Sequence, residues 1–186
     1  MTDKKYILNY IKDFCKTIKI SETKNNNILK ICNLLNKTNS NNSVHIFGNG
    51  GSASIASHFS MDLTNNTSIK CYNYNEPGLI TCYSNDFKFE NWISRVISKY
   101  GKKNDILILV SSSGMSKNMV NGLKEAKRKK FRKIITFTGF SKRNYLNKNG
   151  DINFWVDSKE YNVIENIHQF FLLMLVDMIK KSKKKY

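Results

Sequence analysis

Residues 106–116 read Ile106-Leu107-Ile108-Leu109-Val110-Ser111-Ser112-Ser113-Gly114-Met115-Ser116. Five apolar residues run without a break and end in a hydroxyl-rich turn. A strand that is apolar on both alternating faces has to be covered on both sides, as strands of a parallel sheet are. The same construction recurs on either side of this stretch. Val44-His45-Ile46-Phe47 is a short strand running into Gly48-Asn49-Gly50-Gly51-Ser52, and Ile134-Ile135-Thr136-Phe137-Thr138 is a buried strand closed by Gly139. Residues 68–73 and 152–156 complete five strands. Between and after them lie 52–65, 87–99, 116–130 and the mostly apolar 160–180, all with apolar residues at helical spacing. This alternation predicts an α/β fold, a three-layer αβα sandwich around a five-stranded, doubly wound parallel sheet of flavodoxin-like type. Residues 4–20 and 22–37 add helical spacing before the first strand, with Ile7, Ile11 and Phe14 in one and Ile28, Ile31, Leu34 and Leu35 in the other. Residues 1–40 therefore read as an N-terminal helical extension for oligomerisation, and 41–186 as the sheet domain.

Composition narrows the class. The chain has 186 residues, 40% apolar and 12% aromatic, enough to bury the core of one domain. Lys and Arg number 31 against 14 Asp and Glu, a formal charge of +17. Such charge suggests polyanions first. Its densest clusters lie at 124–133 and 180–185, yet Lys and Asn are abundant throughout, so a solvated basic surface is the simpler reading. No zinc-finger, helix-turn-helix or RNA-recognition signature accompanies the charge, and nucleic acid is not expected as a partner. The longest unbroken apolar run, 170–176, falls far short of the ~20 residues of a membrane span. No secretory signal is visible, and the four cysteines lack Cys-x-x-Cys spacing. A cytoplasmic protein with reduced thiols and no membrane association is the expectation.

Two turns carry the chemistry. Residues 48–53 and 111–116 each follow a strand and open a helix. A helix N-terminus offers unpaired N–H groups and partial positive charge, which suits phosphate. Gly50 and Gly51 let the backbone approach a ligand, and Ser111, Ser112, Ser113 and Ser116 supply hydroxyls. Gly48-x-Gly50-x-x-Ala53 also fits a dinucleotide fingerprint, but that reading wants an acid after the second strand. Tyr72-Asn73-Tyr74-Asn75 stands there instead, with Glu76 late and before Pro77, so no nucleotide cofactor is expected. His58 and Asp62 lie at i and i+4 on the helix that leaves the glycine turn. At this spacing a neutral imidazole and a carboxylate suit either a divalent metal or an acid–base pair.

Phe47-Gly48-Asn49-Gly50-Gly51-Ser52-Ala53, His58-x-x-x-Asp62-Leu63, Asn85-Asp86-Phe87 and Ser111-Ser112-Ser113-Gly114-x-Ser116, in this order, resemble the sugar isomerase (SIS) domain of the sedoheptulose 7-phosphate, or phosphoheptose, isomerases. The resemblance spans about residues 30–180. It implies a five-stranded parallel sheet flanked by helices and a homotetramer with active sites between subunits. It implies an aldose–ketose isomerase that converts sedoheptulose 7-phosphate to a heptose 7-phosphate, feeding precursors of lipopolysaccharide or capsule. By the same resemblance Ser111, Ser112, Ser113 and Ser116 hold the phosphate, while Asn49, Gly50, Gly51, Ser52, Asn85 and Asp86 line the sugar. His58 and Asp62 occupy positions that bind zinc in some members, and the family's glutamate at 62 also moves protons.

The pattern departs in the last helix. Aligned on Ile164-x-x-Ile167-His168, the family's glutamine is Glu165 here, and its acid–base and metal-binding histidine is Leu173. His168 is no simple substitute: at 100° per residue, positions 168 and 173 leave the helix roughly 140° apart. His168 is equally readable as an interior histidine. Gln169 points nearer the lost histidine's direction and is a candidate for substrate binding. A second acid near Asp62 would raise one carboxyl pKa or draw in a metal. The expected catalytic set is therefore Glu165 and Asp62 assisted by His58, and the same three are the expected zinc ligands. His45, in the first strand, reads as structural. The alternative is a non-catalytic SIS module that binds a sugar phosphate or a protein partner.

Overall fold

Five parallel strands, β1 (Val44–Gly48), β2 (Cys71–Tyr72), β3 (Ile106–Ser111), β4 (Lys133–Thr138) and β5 (Ile152–Trp155), pair in the order β2-β1-β3-β4-β5. The computed structural model describes residues 3–23 and 26–183. Every residue of β1 and β3 is buried, as their unbroken apolar runs require. The helices are α1 (Asp3–Thr23), α2 (Asn26–Asn36), α3 (Gly51–Asn66), α4 (Pro77–Phe87), α5 (Trp92–Tyr100), α6 (Lys117–Arg128), α7 (Tyr145–Asn149) and α8 (Tyr161–Lys183).

Alternate strand residues feed two cores. Ile46, Ile108 and Phe137 face α2, α3 and α8 through Leu35, Phe59, Ile167 and Leu175. Phe47, Leu107, Leu109 and Ile134 face α5, α6 and α7 through Trp92, Ile97, Leu123 and Leu146. The three-layer sandwich expected from the alternation is present. α2, assigned to the extension, buries Ile28, Ile31 and Leu35 in the first core. α1 keeps Tyr6, Ile7, Leu8, Tyr10 and Ile11 exposed, while Phe14 and Ile18 pack inward. By length and composition alone α8 could cross a membrane, but half of its apolar window is buried inside this fold.

Two expectations need correction. The strand expected over 68–73 is only Cys71–Tyr72. The Asn73 side chain ends it by donating to the Ile46 carbonyl at 3.0 Å, which removes an acceptor from further strand pairing. The helix expected over 87–99 is α5, preceded by a 3-10 turn at Phe89–Asn91, and a separate helix, α4, stands before both. Glu76 caps α4, accepting from the N–H groups of Gly78 and Leu79 at 2.9 and 2.6 Å. α4 has no fully buried residue: Leu79, Ile80 and Tyr83 pack only partly against the second core, which leaves a weak periodic signal.

β1 and β3 are neighbours with Gly48 paired to Val110, yet α3 leaves β1 toward one face and α6 leaves β3 toward the other. That divergence opens a crevice at the carboxyl ends of the two strands, where open α/β sheets take ligands.

Candidate functional site

Both predicted anion loops meet in this crevice. Gly50, at φ +54°, precedes α3 in a conformation that side chains disfavour. Asn49 and Asn118 exchange amide hydrogen bonds at 3.1 and 2.8 Å, fastening the glycine turn to the start of α6. In the serine turn, the Gly114 N–H donates to Ser111 Oγ at 3.2 Å and the Met115 N–H to Ser113 Oγ at 3.3 Å. Ser112 differs. Its backbone carbonyl accepts from the Gly139 N–H at 2.9 Å, but its buried hydroxyl has no protein partner. A buried hydroxyl without a partner is costly, and a ligand oxygen would satisfy it.

Asn49, Ser52, Val110, Ser111, Ser112, Ser113, Ser116, Tyr161 and Glu165 line one cavity of about 100 Å³. A second, of about 330 Å³, lies between α3 and α8 and is lined by Gly51, Ser54, Ile55, His58, Glu165, Asn166 and Gln169. Glu165 belongs to both. Its Oε1 accepts from Ser52 Oγ at 3.3 Å, and a Cβ on Gly51 would overlap its Oε2. The carboxylate therefore sits against the first turn of α3, where the helix dipole favours negative charge.

The remaining candidates separate. His58 lines the second cavity, and its Nε2 lies 3.3 Å from Asp62 Oδ2. Asp62 itself lines neither cavity and stands behind His58. Asn85 and Asp86 are exposed on α4, with Asn85 Nδ2 donating to Asp86 Oδ1 at 3.1 Å, and they line neither cavity. Among the described residues, no three His, Cys, Asp or Glu side chains converge closely enough to hold a metal ion. Within one chain His58, Asp62 and Glu165 thus do not converge into the three-ligand zinc set that the sequence suggests. Tyr161 and Asn166 were missed in the sequence, although both share α8 with Glu165 and Tyr161 lies four residues before it, on the same face.

The other two histidines are interior. His45 and Asp105, each 2% exposed, meet at 2.9 Å at the start of the sheet, away from the crevice. His168 is wholly buried, with Nε2 3.1 Å from the Thr138 carbonyl. Burial pushes its pKa down to about 4 against the smaller upward pull of that carbonyl. The unfolded chain takes up this proton near pH 6.5, while the native protein resists until about 4. Stability at His168 is therefore lost as pH falls through this window, by roughly 3 kcal/mol in all. Urea unfolding at pH 7 and pH 4.5 should show a smaller stability gap for His168→Phe than for the native protein. An unchanged gap would exclude His168 as the source.

A family model described as the SIS domain matches residues 8–139. The phosphoheptose isomerase of Buchnera aphidicola is 33% identical over 185 residues, covering 96% of this chain and 92% of that protein. The probable phosphoheptose isomerase of Thermoplasma acidophilum is 33% identical over 168 residues, 85% and 91% of the two chains. Among solved structures, a phosphoheptose isomerase from Francisella tularensis superposes with a TM-score of 0.89 over 97% of this chain and all of that one, at 24% identity. One from Neisseria gonorrhoeae gives 0.88 with the same coverage at 20% identity.

Proposed function

The chain belongs to the SIS-domain family, and from that premise we propose that it is a phosphosugar isomerase acting on sedoheptulose 7-phosphate, with Glu165 as its acid–base group. One observation carries the reading: a single carboxylate borders both the serine-lined cavity and the cavity beside His58. A phosphate held by the hydroxyls of Ser111, Ser112, Ser113 and Ser116 directs the sugar chain past Glu165, with Asn49, Gly50, Gly51 and Ser52 along the glycine turn. Glu165 removes the proton from C1 of the ketose, next to the C2 carbonyl. The C–H electron pair forms the C1=C2 bond of an enediolate, and the carbonyl π electrons move to O2. Return of the proton to C2 by Glu165, with transfer of the O1 proton to O2, leaves an aldehyde at C1. One carboxylate that reaches both carbons suffices, and no proton is gained or lost overall. His58, braced by Asp62, and Gln169 are the hydrogen-bonding partners for the oxygens on the far side. The product would enter the synthesis of surface polysaccharide precursors in the cytoplasm.

The relatives that are phosphoheptose isomerases over most of the chain support this reading. The exposed Tyr6, Ile7, Leu8, Tyr10 and Ile11 on α1 support assembly with further copies, a tetramer in this proposal. Asn85 and Asp86 would then serve the sugar from a neighbouring copy. Leu173, where the family carries its histidine, favours the second reading, a non-catalytic module that binds sugar phosphate. Incubating the purified protein with sedoheptulose 7-phosphate in D2O and following the aldose by NMR separates the two. The isomerase yields aldose deuterated at C2 in proportion to solvent exchange of the carboxyl proton. Binding without product would establish the module.

A further inference from the structure

The serine cavity has one side that is not polar. Tyr161, the first residue of α8, lines it together with Glu165 one helical turn later. Side chains four apart on a helix stand side by side, with Cβ atoms about 5–6 Å apart. A chain that starts at the serine turn and reaches Glu165 shares this cavity with the Tyr161 ring. The ring is 59% exposed, yet Phe140 backs it edge-on, with centroids 4.7 Å apart and planes at 89°.

Phe140 is held in place with some strain. Its φ is +46°, a conformation rare for a bulky residue. Its N–H donates to the Ser158 carbonyl at 3.0 Å. The preceding Gly139 donates its N–H to the Ser112 carbonyl at 2.9 Å and accepts from Trp155 Nε1 at 3.2 Å. The aromatic pair is thus tied by backbone to the serine turn that it faces. Such strain persists only where surrounding contacts hold it, and it gathers at ligand-binding sites.

Resting on the isomerase reading of this site, we propose that Tyr161, backed by Phe140, is a specificity-determining residue: its ring is the wall along which the carbon chain of an open-chain polyol phosphate lies. The C–H faces of such a chain pack on the ring while its hydroxyls turn to Asn49, Ser52 and Glu165. Inorganic phosphate, held by the serine hydroxyls, has no carbon chain to pack on the wall. The site therefore selects long phosphorylated sugars over bare phosphate through an apolar contact that the polar loops cannot supply.

The test uses a ligand that cannot isomerise. Calorimetric titration of heptitol 7-phosphate, the reduced seven-carbon polyol phosphate, is compared with that of inorganic phosphate for the native protein, Tyr161→Phe and Tyr161→Ala. Tyr161→Ala should weaken heptitol phosphate about tenfold and change phosphate by less than about twofold. Tyr161→Phe, which keeps the ring, should stay within about twofold of native for both. The proposal is overturned if Tyr161→Ala leaves heptitol phosphate unchanged or weakens both ligands equally. It is also overturned if the native protein binds the polyol phosphate no tighter than phosphate. Turnover of sedoheptulose 7-phosphate, measured separately, tests the isomerase reading: binding without turnover sinks that reading and leaves the wall standing. Turnover with an insensitive Tyr161→Ala does the reverse.

Discussion

Glu165→Gln is expected to lower kcat for sedoheptulose 7-phosphate by roughly 10²–10⁴-fold, the usual worth of a positioned acid–base group, while KM should move by less than about threefold. The substitution keeps the size of the side chain and its contact with Ser52 Oγ, now 3.3 Å from Oε1. In the proposed reaction it removes only the group that accepts and returns a proton, so the loss is expected in kcat. The glutamine it installs is the residue that the resemblance implies at this position, which makes the outcome informative. The resemblance implies a histidine eight residues later that shares the proton transfer, and here that position is Leu173. Placing Leu173→His in the Glu165→Gln background should therefore restore part of the lost rate. Full turnover by Glu165→Gln alone would move the base elsewhere, with His58 the next candidate. A matching rise in KM would make Glu165 a binding group.

Asp105→Ala should cost about 3–5 kcal/mol of stability in urea unfolding at pH 7, since it strips one partner from a buried pair. Asp105 Oδ2 lies 2.9 Å from His45 Nε2 and accepts from the Lys102 N–H at 2.8 Å, while Oδ1 accepts from the Ser43 N–H at 2.9 Å. One carboxylate thus joins the approaches to β1 and β3, at the end of the sheet opposite the crevice. Burial pushes its pKa up, but the bonds from His45, Ser43 and Lys102 outweigh burial and hold it below the ordinary carboxylate range. Its contribution is complete above the unfolded value, about 3.9, and is lost as pH falls through the lower native value. Asp105→Asn places an amide donor among donors and should recover little of the loss. A cost under about 1 kcal/mol would mean that water replaces the carboxylate and that the pair is not truly dry. Folded Asp105→Ala should keep the native KM, because the pair lies away from both cavities.

The layers and the two turns that open α3 and α6 were legible in the amino-acid sequence alone. Apolar runs such as 106–110 fit a sheet covered on both faces, and glycine and serine turns after such strands leave free N–H groups and hydroxyls at the head of a helix. Periodicity is a burial signal, so it was silent where burial is slight. α4, with no buried residue, and the two-residue β2 were therefore misread, although Glu76-Pro77 marked the start of α4. Which candidates meet depends on packing between segments far apart in the chain. Helical spacing put His58 and Asp62 on one face but not which of them borders the cavity. The fold gives that place to His58, sets Asp62 behind it, and leaves Asn85 and Asp86 outside both cavities. It also brought Tyr161 and Phe140 together from segments 21 positions apart, because Gly139 hangs on the serine turn while α8 crosses above it. Local propensity acts along the chain, whereas a site is assembled across it, where distance is set by packing.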